Sequence, residues 1–300
     1  MLINKLISAV VSAPKNISQR RLSSKSFTPP QRDVFVKSNE LKRHAAASKI
    51  LSRDSKFTID SYNRLTEEEN TLLREVADMD TKLAVNSSVD LGLKFKSYLD
   101  EKYGKDKYVF VSIGTSPTGI ARVMEFTGVE TKYLPVTDLA RVSSESDIDA
   151  HKDKYPVYKE FLKQQGITSE DINSSGKKYL FYDYTFTGKS LKIFEILMEH
   201  EFGVTSPNIE YRSLNGDLNI AANSVNNMHR EVCEYVEEYF KDSSMAQYGG
   251  VPHLRLDQMD KVFEQKQYYG NAPNLFNFLM IHILSKSNCL KQNPKNKNSI

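Results

Sequence analysis

Between Lys107 and Leu214 the chain alternates short apolar runs of strand character with amphipathic helical stretches, and this alternation constrains the fold more than any other feature. KYVFVSI, residues 107–113, reads as a buried strand, as do 132–136, 178–182 and 208–214. Helical patterns lie between them at 120–126, 155–165 and 191–202, with Pro156 in a first turn and Gly166 and Gly203 as stops. Strands separated by helices pair in parallel, because the chain must cross back over the sheet each time. The expected class is therefore α/β, with a mostly parallel central sheet flanked by helices.

Helices are expected on both sides of this unit. Thr66 and Glu69 spell a capping box, and Leu72, Leu73, Val76, Met79 and Leu83 follow on one helical face. A second helix over 88–103 carries Leu91, Phe95 and Leu99. Beyond the last strand, Ser224 caps a helix with Val225, Met228, Val232, Val236 and Phe240 on one face. Helices over 257–268 and 273–286 then form a C-terminal helical cap, with Met259, Val262, Phe263, Phe276, Phe278 and Leu279 packed in it.

Charge divides the chain further. Residues 1–55 hold 11 Lys and Arg against 3 acids, and residues 286–300 hold 4 Lys and no acid. That leaves 26 basic and 35 acidic residues between 56 and 285, so the net charge of +3 conceals an acidic body. An acidic body argues against nucleic acid as a partner. Residues 1–30 contain no acid, are rich in serine, and place Ile3, Leu6, Ile7, Val10 and Val11 on one helical face. This composition suits either a mitochondrial transit peptide or a leader for type III secretion into a host cell. The expected organisation is a disordered basic leader over 1–55, a single α/β domain over 56–285, and a disordered basic tail over 286–300. No run reaches the roughly 18 apolar residues of a membrane span. Two cysteines, Cys233 and Cys289, exclude both a disulfide framework and a four-thiolate zinc site, which fits a soluble intracellular protein. His200, His229, His253 and His282 show no ligand spacing, so no protein-held metal is expected. The loop 248–254 (YGGVPHL) either joins two helices or covers a substrate.

Two loops carry chemistry. Asp183, Thr185, Thr187, Gly188, Lys189 and Ser190 lie between a strand and a helix. The first N–H groups of a helix lack partners and its dipole favours an anion, so Gly, Thr and Ser there suit a phosphate. A Walker A reading fails, because Asp183 stands where the opening glycine belongs. An earlier loop, Gly114, Thr115, Ser116, Thr118 and Gly119, follows the strand 107–113 in the same way. Asp183 alone has the plain reading of a helix cap, and Gly114 and Gly119 that of a corner in any such fold.

YLFYDYTFTGKSL (Tyr179–Leu191) and FVSIGTSPTGIA (Phe110–Ala121) together resemble the loops of type I phosphoribosyltransferases. The resemblance covers about residues 105–215. It implies that Thr185, Thr187, Gly188, Lys189 and Ser190 hold the 5-phosphate of phosphoribosyl pyrophosphate. It also implies that Asp183 is the catalytic residue and holds the ribose hydroxyls, that 114–119 holds the pyrophosphate, and that Mg²⁺ travels with that pyrophosphate. Two positions depart from the pattern. Tyr182 stands where a second acid is usual, and Thr118 where a Lys or Arg is common; Arg122 or Arg141 is a substitute cation. The implied activity is phosphoribosyl transfer to an acceptor. The alternative is a nucleotide- or phosphate-binding module, or a secreted effector, on the same fold. The partner in either case is a small sugar phosphate or nucleotide.

Overall fold

The computed structural model describes residues 38–185, 187–217, 254–264 and 271–290. The leader residues 1–37, the helix from Ser224 with Cys233, His229, residues 248–253 and the last ten residues lie outside this set, as does Phe186.

The described residues begin with four helices: α1 (Ser38–Leu51), α2 (Ile59–Asn63), α3 (Glu67–Val76) and α4 (Met79–Tyr103). Then come β1 (Tyr108–Ile113), α5 (Thr118–Phe126), β2 (Thr131–Leu134), α6 (Glu145–Asp149), α7 (Tyr155–Gln164) and α8 (Ser169–Ser174). β3 (Lys178–Asp183), α9 (Lys189–Ile196), β4 (Ile209–Ser213) and α10 (Asn271–Lys286) complete the order. The four strands form one sheet in the order β2-β1-β3-β4, and every pairing is parallel. The α/β class and the parallel sheet are therefore as the alternation predicts.

Side-chain alternation along the strands divides the core in two. Tyr108, Phe110, Leu180 and Tyr182 point to one face, where α4, α5 and α10 pack with Phe95, Val123 and Phe278. Val109, Val111, Ile113, Tyr179 and Phe181 point to the other, against Tyr158, Ile172, Ile193, Phe194 and Met259.

Several boundaries differ from the sequence reading. The apolar face from Leu72 to Leu83 does not lie on one helix. The chain breaks at Ala77, and Asp78 caps α4 by accepting the Thr81 amide at 2.7 Å. Met79 and Leu83, placed on a core face by spacing, are 69% and 56% exposed. The folded body also starts before Lys56. Ala47, Ile50 and Leu51 of α1 are buried, and Asn274 of α10 donates to Leu51 O at 2.8 Å while accepting the Phe57 amide at 2.9 Å. α1 thus packs on the body. At the other end, Cys289 and Leu290 pack against the core, so the tail starts later than 286. The C-terminal cap divides as well. Met259 and Val262 belong to the α7 face, Phe276, Phe278 and Leu279 to the α4 face, and Phe263 is exposed. Of the helix expected over 257–268, the described part up to 264 holds a 3-10 turn, Leu256–Lys261, and 265–268 lie outside the described residues.

Candidate functional site

β1 and β3 are neighbours, yet the chain leaves β1 toward β2 and leaves β3 toward β4. Their exits therefore diverge at the carboxyl edge, the topological switch point at which the crevice of an open α/β sheet receives ligands. The two loops singled out by sequence follow these two strands. Ser112 pairs in register with Tyr182, so the two loops start from adjacent strand ends.

In the first loop Gly114 has φ +68° and donates its N–H to Leu134 O at 2.8 Å. A Cβ at this position would sit 2.8 Å from Val136 O, so only glycine fits. Thr118 and Gly119 lie inside the first turn of α5 and are buried. The Thr118 hydroxyl donates back to Gly114 O at 3.4 Å, and its amide donates to Thr115 O at 3.0 Å. Thr115 and Ser116 are half-buried and present the loop's polar groups at the edge; Thr118 and Gly119 support them from below.

In the second loop Asp183 ends β3, and Ser190 Oγ donates to its Oδ2 at 2.6 Å. Burial pushes the Asp183 carboxyl up to about 6, although the Ser190 hydroxyl and the Tyr184 amide pull the other way. Gly188, at φ +74°, turns the chain into α9. Its amide donates to Thr185 Oγ1 at 2.9 Å, and the Lys189 amide donates to Thr187 Oγ1 at 3.4 Å. The threonines thus already satisfy two of the amides that an anion would use.

Sequence reasoning missed a support beneath this loop. Ser213 Oγ donates to Thr185 O at 3.3 Å, the Thr185 amide donates to Asn215 Oδ1 at 3.4 Å, and Ser213 bonds to Asn215. The end of β4 thereby fixes both backbone groups of Thr185. The available signal was position: β4 is the strand next to β3, and its predicted end at 214 falls beside the loop.

Tyr182 turns to the α4 face rather than to the crevice. Its ring stacks on Phe110 at 5.0 Å, and its hydroxyl donates to Asp217 Oδ2 at 2.7 Å. Asp217 in turn takes both forks of Arg212, with Nη2 at 2.7 Å from Oδ1. This buried pair supplies no second acid to the site. The substitute cations fare differently from one another. Arg122 is buried and donates to Glu125 Oε2 at 2.7 Å, with its guanidinium 4.4 Å from the centre of the Tyr133 ring. Arg141 is exposed beside the β2 edge.

Asp183 is the one carboxylate in the two loops, and no group of three His, Cys, Asp or Glu is placed to hold a metal among the described residues. A single desolvated carboxylate bonded to a serine does not fit a protein-held Mg²⁺. Also among the described residues, no helix is long and apolar enough to cross a membrane. No protein-family model, curated protein or solved structure matches the chain.

Proposed function

We propose that the crevice between β1 and β3 binds a phosphorylated ribose, with phosphoribosyl pyrophosphate as the ligand that best suits its two loops. The observation that carries this reading is Asp183: a carboxyl desolvated at the switch point of a parallel sheet, in front of a Thr-Gly-Lys-Ser turn. Asp183 would accept the ribose hydroxyls. The α9 amides, the hydroxyls of Thr185, Thr187 and Ser190, and Lys189 would hold the 5-phosphate, with Thr185 and Thr187 rotating off the Gly188 and Lys189 amides. Thr115 and Ser116 would face the diphosphate, which brings its own Mg²⁺ as part of the substrate.

Phosphoribosyl transfer would follow from such binding as attack on the ribose C1 while pyrophosphate leaves. Positioning and electrostatics dominate reactions of this kind. A second reading, binding without turnover, is favoured by one observation: Tyr182 and Arg122, at or near the positions that would supply an acid and a cation, are committed to Asp217 and Glu125. The separating experiment is a melting scan with phosphoribosyl pyrophosphate, ribose 5-phosphate and ATP, with and without Mg²⁺, followed by an assay for released pyrophosphate. Stabilisation with release supports the transferase, and stabilisation without release supports the binding module. No stabilisation by any phosphorylated ribose contradicts both. The leader reading, matrix import or type III export, rests on the composition of the segment before Ser38 and is tested by localising a fusion of residues 1–37.

A further inference from the structure

A cavity of about 410 Å³ opens at the carboxyl edge of β2, one strand beyond the crevice, and of its lining the sequence reading singles out Arg141 alone, as a substitute cation for the other site. Its rim is polar: Thr137, Asp138, Arg141, Asp147, His151 and Asp257. Val142, Ala150 and Leu256 supply apolar wall. The rim's charges are not equally available. Asp147 accepts the Ser143 amide and hydroxyl, both at 2.7 Å, and the Ser144 amide at 3.0 Å. Asp257 accepts both forks of Arg255, at 3.0 and 3.2 Å. Asp138 touches one nitrogen of Arg141, at 3.5 Å.

What remains uncommitted besides the Asp138 carboxylate is of the opposite kind. Among the described residues the Thr137 hydroxyl and the His151 imidazole have no hydrogen-bond partner, and the Arg141 side chain is 80% exposed with most of its donors free. The turn that carries Arg141 is held firmly. The Thr137 amide donates to Leu254 O at 2.8 Å, Leu139 and Val142 are buried, and Asp138 is kept at φ +61°, a conformation unusual for a residue with a Cβ. Two of the three acids are satisfied and Asp138 lies against Arg141 itself, so the guanidinium, imidazole and hydroxyl are the donors left to meet a ligand, and the guanidinium fork matches a carboxylate. The volume lies in the range of small-molecule sites.

We infer that this cavity binds a small organic carboxylate, held by Arg141, His151 and Thr137 with its apolar body against Val142 and Leu256. The inference does not depend on what occupies the β1–β3 crevice. The Gly114 amide donates to Leu134 O at the end of β2, so the two sites adjoin, and a carboxylate here would be a second reactant or an effector of the first site.

The test is calorimetric titration of the full chain with benzoate, with benzamide as its neutral counterpart, and with inorganic phosphate. The same titrations are run on Arg141→Gln, His151→Gln and Asp183→Asn. Benzoate is expected to bind and benzamide not. Arg141→Gln should weaken benzoate about 10–150-fold, the range of a charge-assisted hydrogen bond, and His151→Gln by less. Asp183→Asn should leave benzoate unchanged, which separates this site from the crevice. Absence of benzoate binding, equal binding of benzamide, binding of phosphate alone, or undiminished affinity in Arg141→Gln overturns the inference. Arg141 is exposed, so an unchanged melting temperature is expected to show that Arg141→Gln folds.

Discussion

Ser190 Oγ lies 2.6 Å from Asp183 Oδ2, so the first turn of α9 is tied to the last residue of β3. The bond holds a carboxyl that burial would otherwise neutralise. Because its pKa is raised to about 6, above the ordinary 3.8, the folded protein retains a proton that the unfolded chain releases. Stability contributed at this position is therefore present at low pH and falls as pH rises from about 4 to 6. Asp183→Asn should abolish that slope. Melting curves between pH 4.5 and 8 should show the variant equal to or above the wild type at pH 8, with the difference shrinking toward pH 4.5. A variant less stable at pH 8 would show that the charge itself supports the fold.

The two loop glycines should respond differently to alanine. Both have positive φ, which costs a residue with a Cβ about 1–2 kcal/mol. Gly188 has open space where the methyl would go, so Gly188→Ala should cost no more than that. Gly114→Ala also drives a methyl to 2.8 Å from Val136 O, adding roughly 1–3 kcal/mol. Urea denaturation of the two variants measures the gap, and equal losses would contradict it.

Tyr182 should not tolerate replacement by the acid that phosphoribosyltransferase loops favour. Tyr182→Phe loses one hydrogen bond to Asp217, which keeps Arg212, and should cost about 0.5–1.5 kcal/mol. Tyr182→Asp puts an unpaired carboxylate between Phe110 and Phe95 and should cost at least about 3–5 kcal/mol. Denaturation midpoints decide; a stable, active Tyr182→Asp protein would show that the side chain can reach the crevice.

Asn274 joins the ends of the chain. Asn274→Ala removes the acceptor for the Phe57 amide and the donor to Leu51 O, both buried, and should lower stability by about 2–4 kcal/mol. A chain starting at Lys56 loses the same donor contact together with buried Ile50 and Leu51. Its melting temperature should fall by about 10 °C or more, since each kcal/mol moves a domain of this size by roughly 2–4 °C. A truncated chain melting with the parent would return residues 38–55 to the leader.

The alternation of strand and helix was legible because each element has a strong period or a strong cap. β1, β3 and their loops lie within a residue or two of where the sequence puts them, and the Thr66–Glu69 box forms as spelled. The break at Ala77 was not legible, because Met79 and Leu83 continue the apolar spacing while Asp78 ends it through a hydrogen bond. A weak basic helix over 34–55 can be read from the sequence, but the packing of α1 on the body cannot: it involves Asn274, more than 200 residues away. Within the site, Asp183 and the turn to Ser190 could be read from composition. The direction of Tyr182, the pairing of Arg122 with Glu125 and the Ser213–Asn215 support are tertiary contacts with no local signature.

The central claim is that Asp183 meets a bound ribose. Calorimetric titration of phosphoribosyl pyrophosphate with Mg²⁺ into wild type and Asp183→Asn at pH 7.5 tests it most directly. The wild type should bind, and the folded variant should bind about 10–150-fold more weakly, the worth of one charge-assisted hydrogen bond. Equal affinities, or no binding by a folded wild type, would contradict the account.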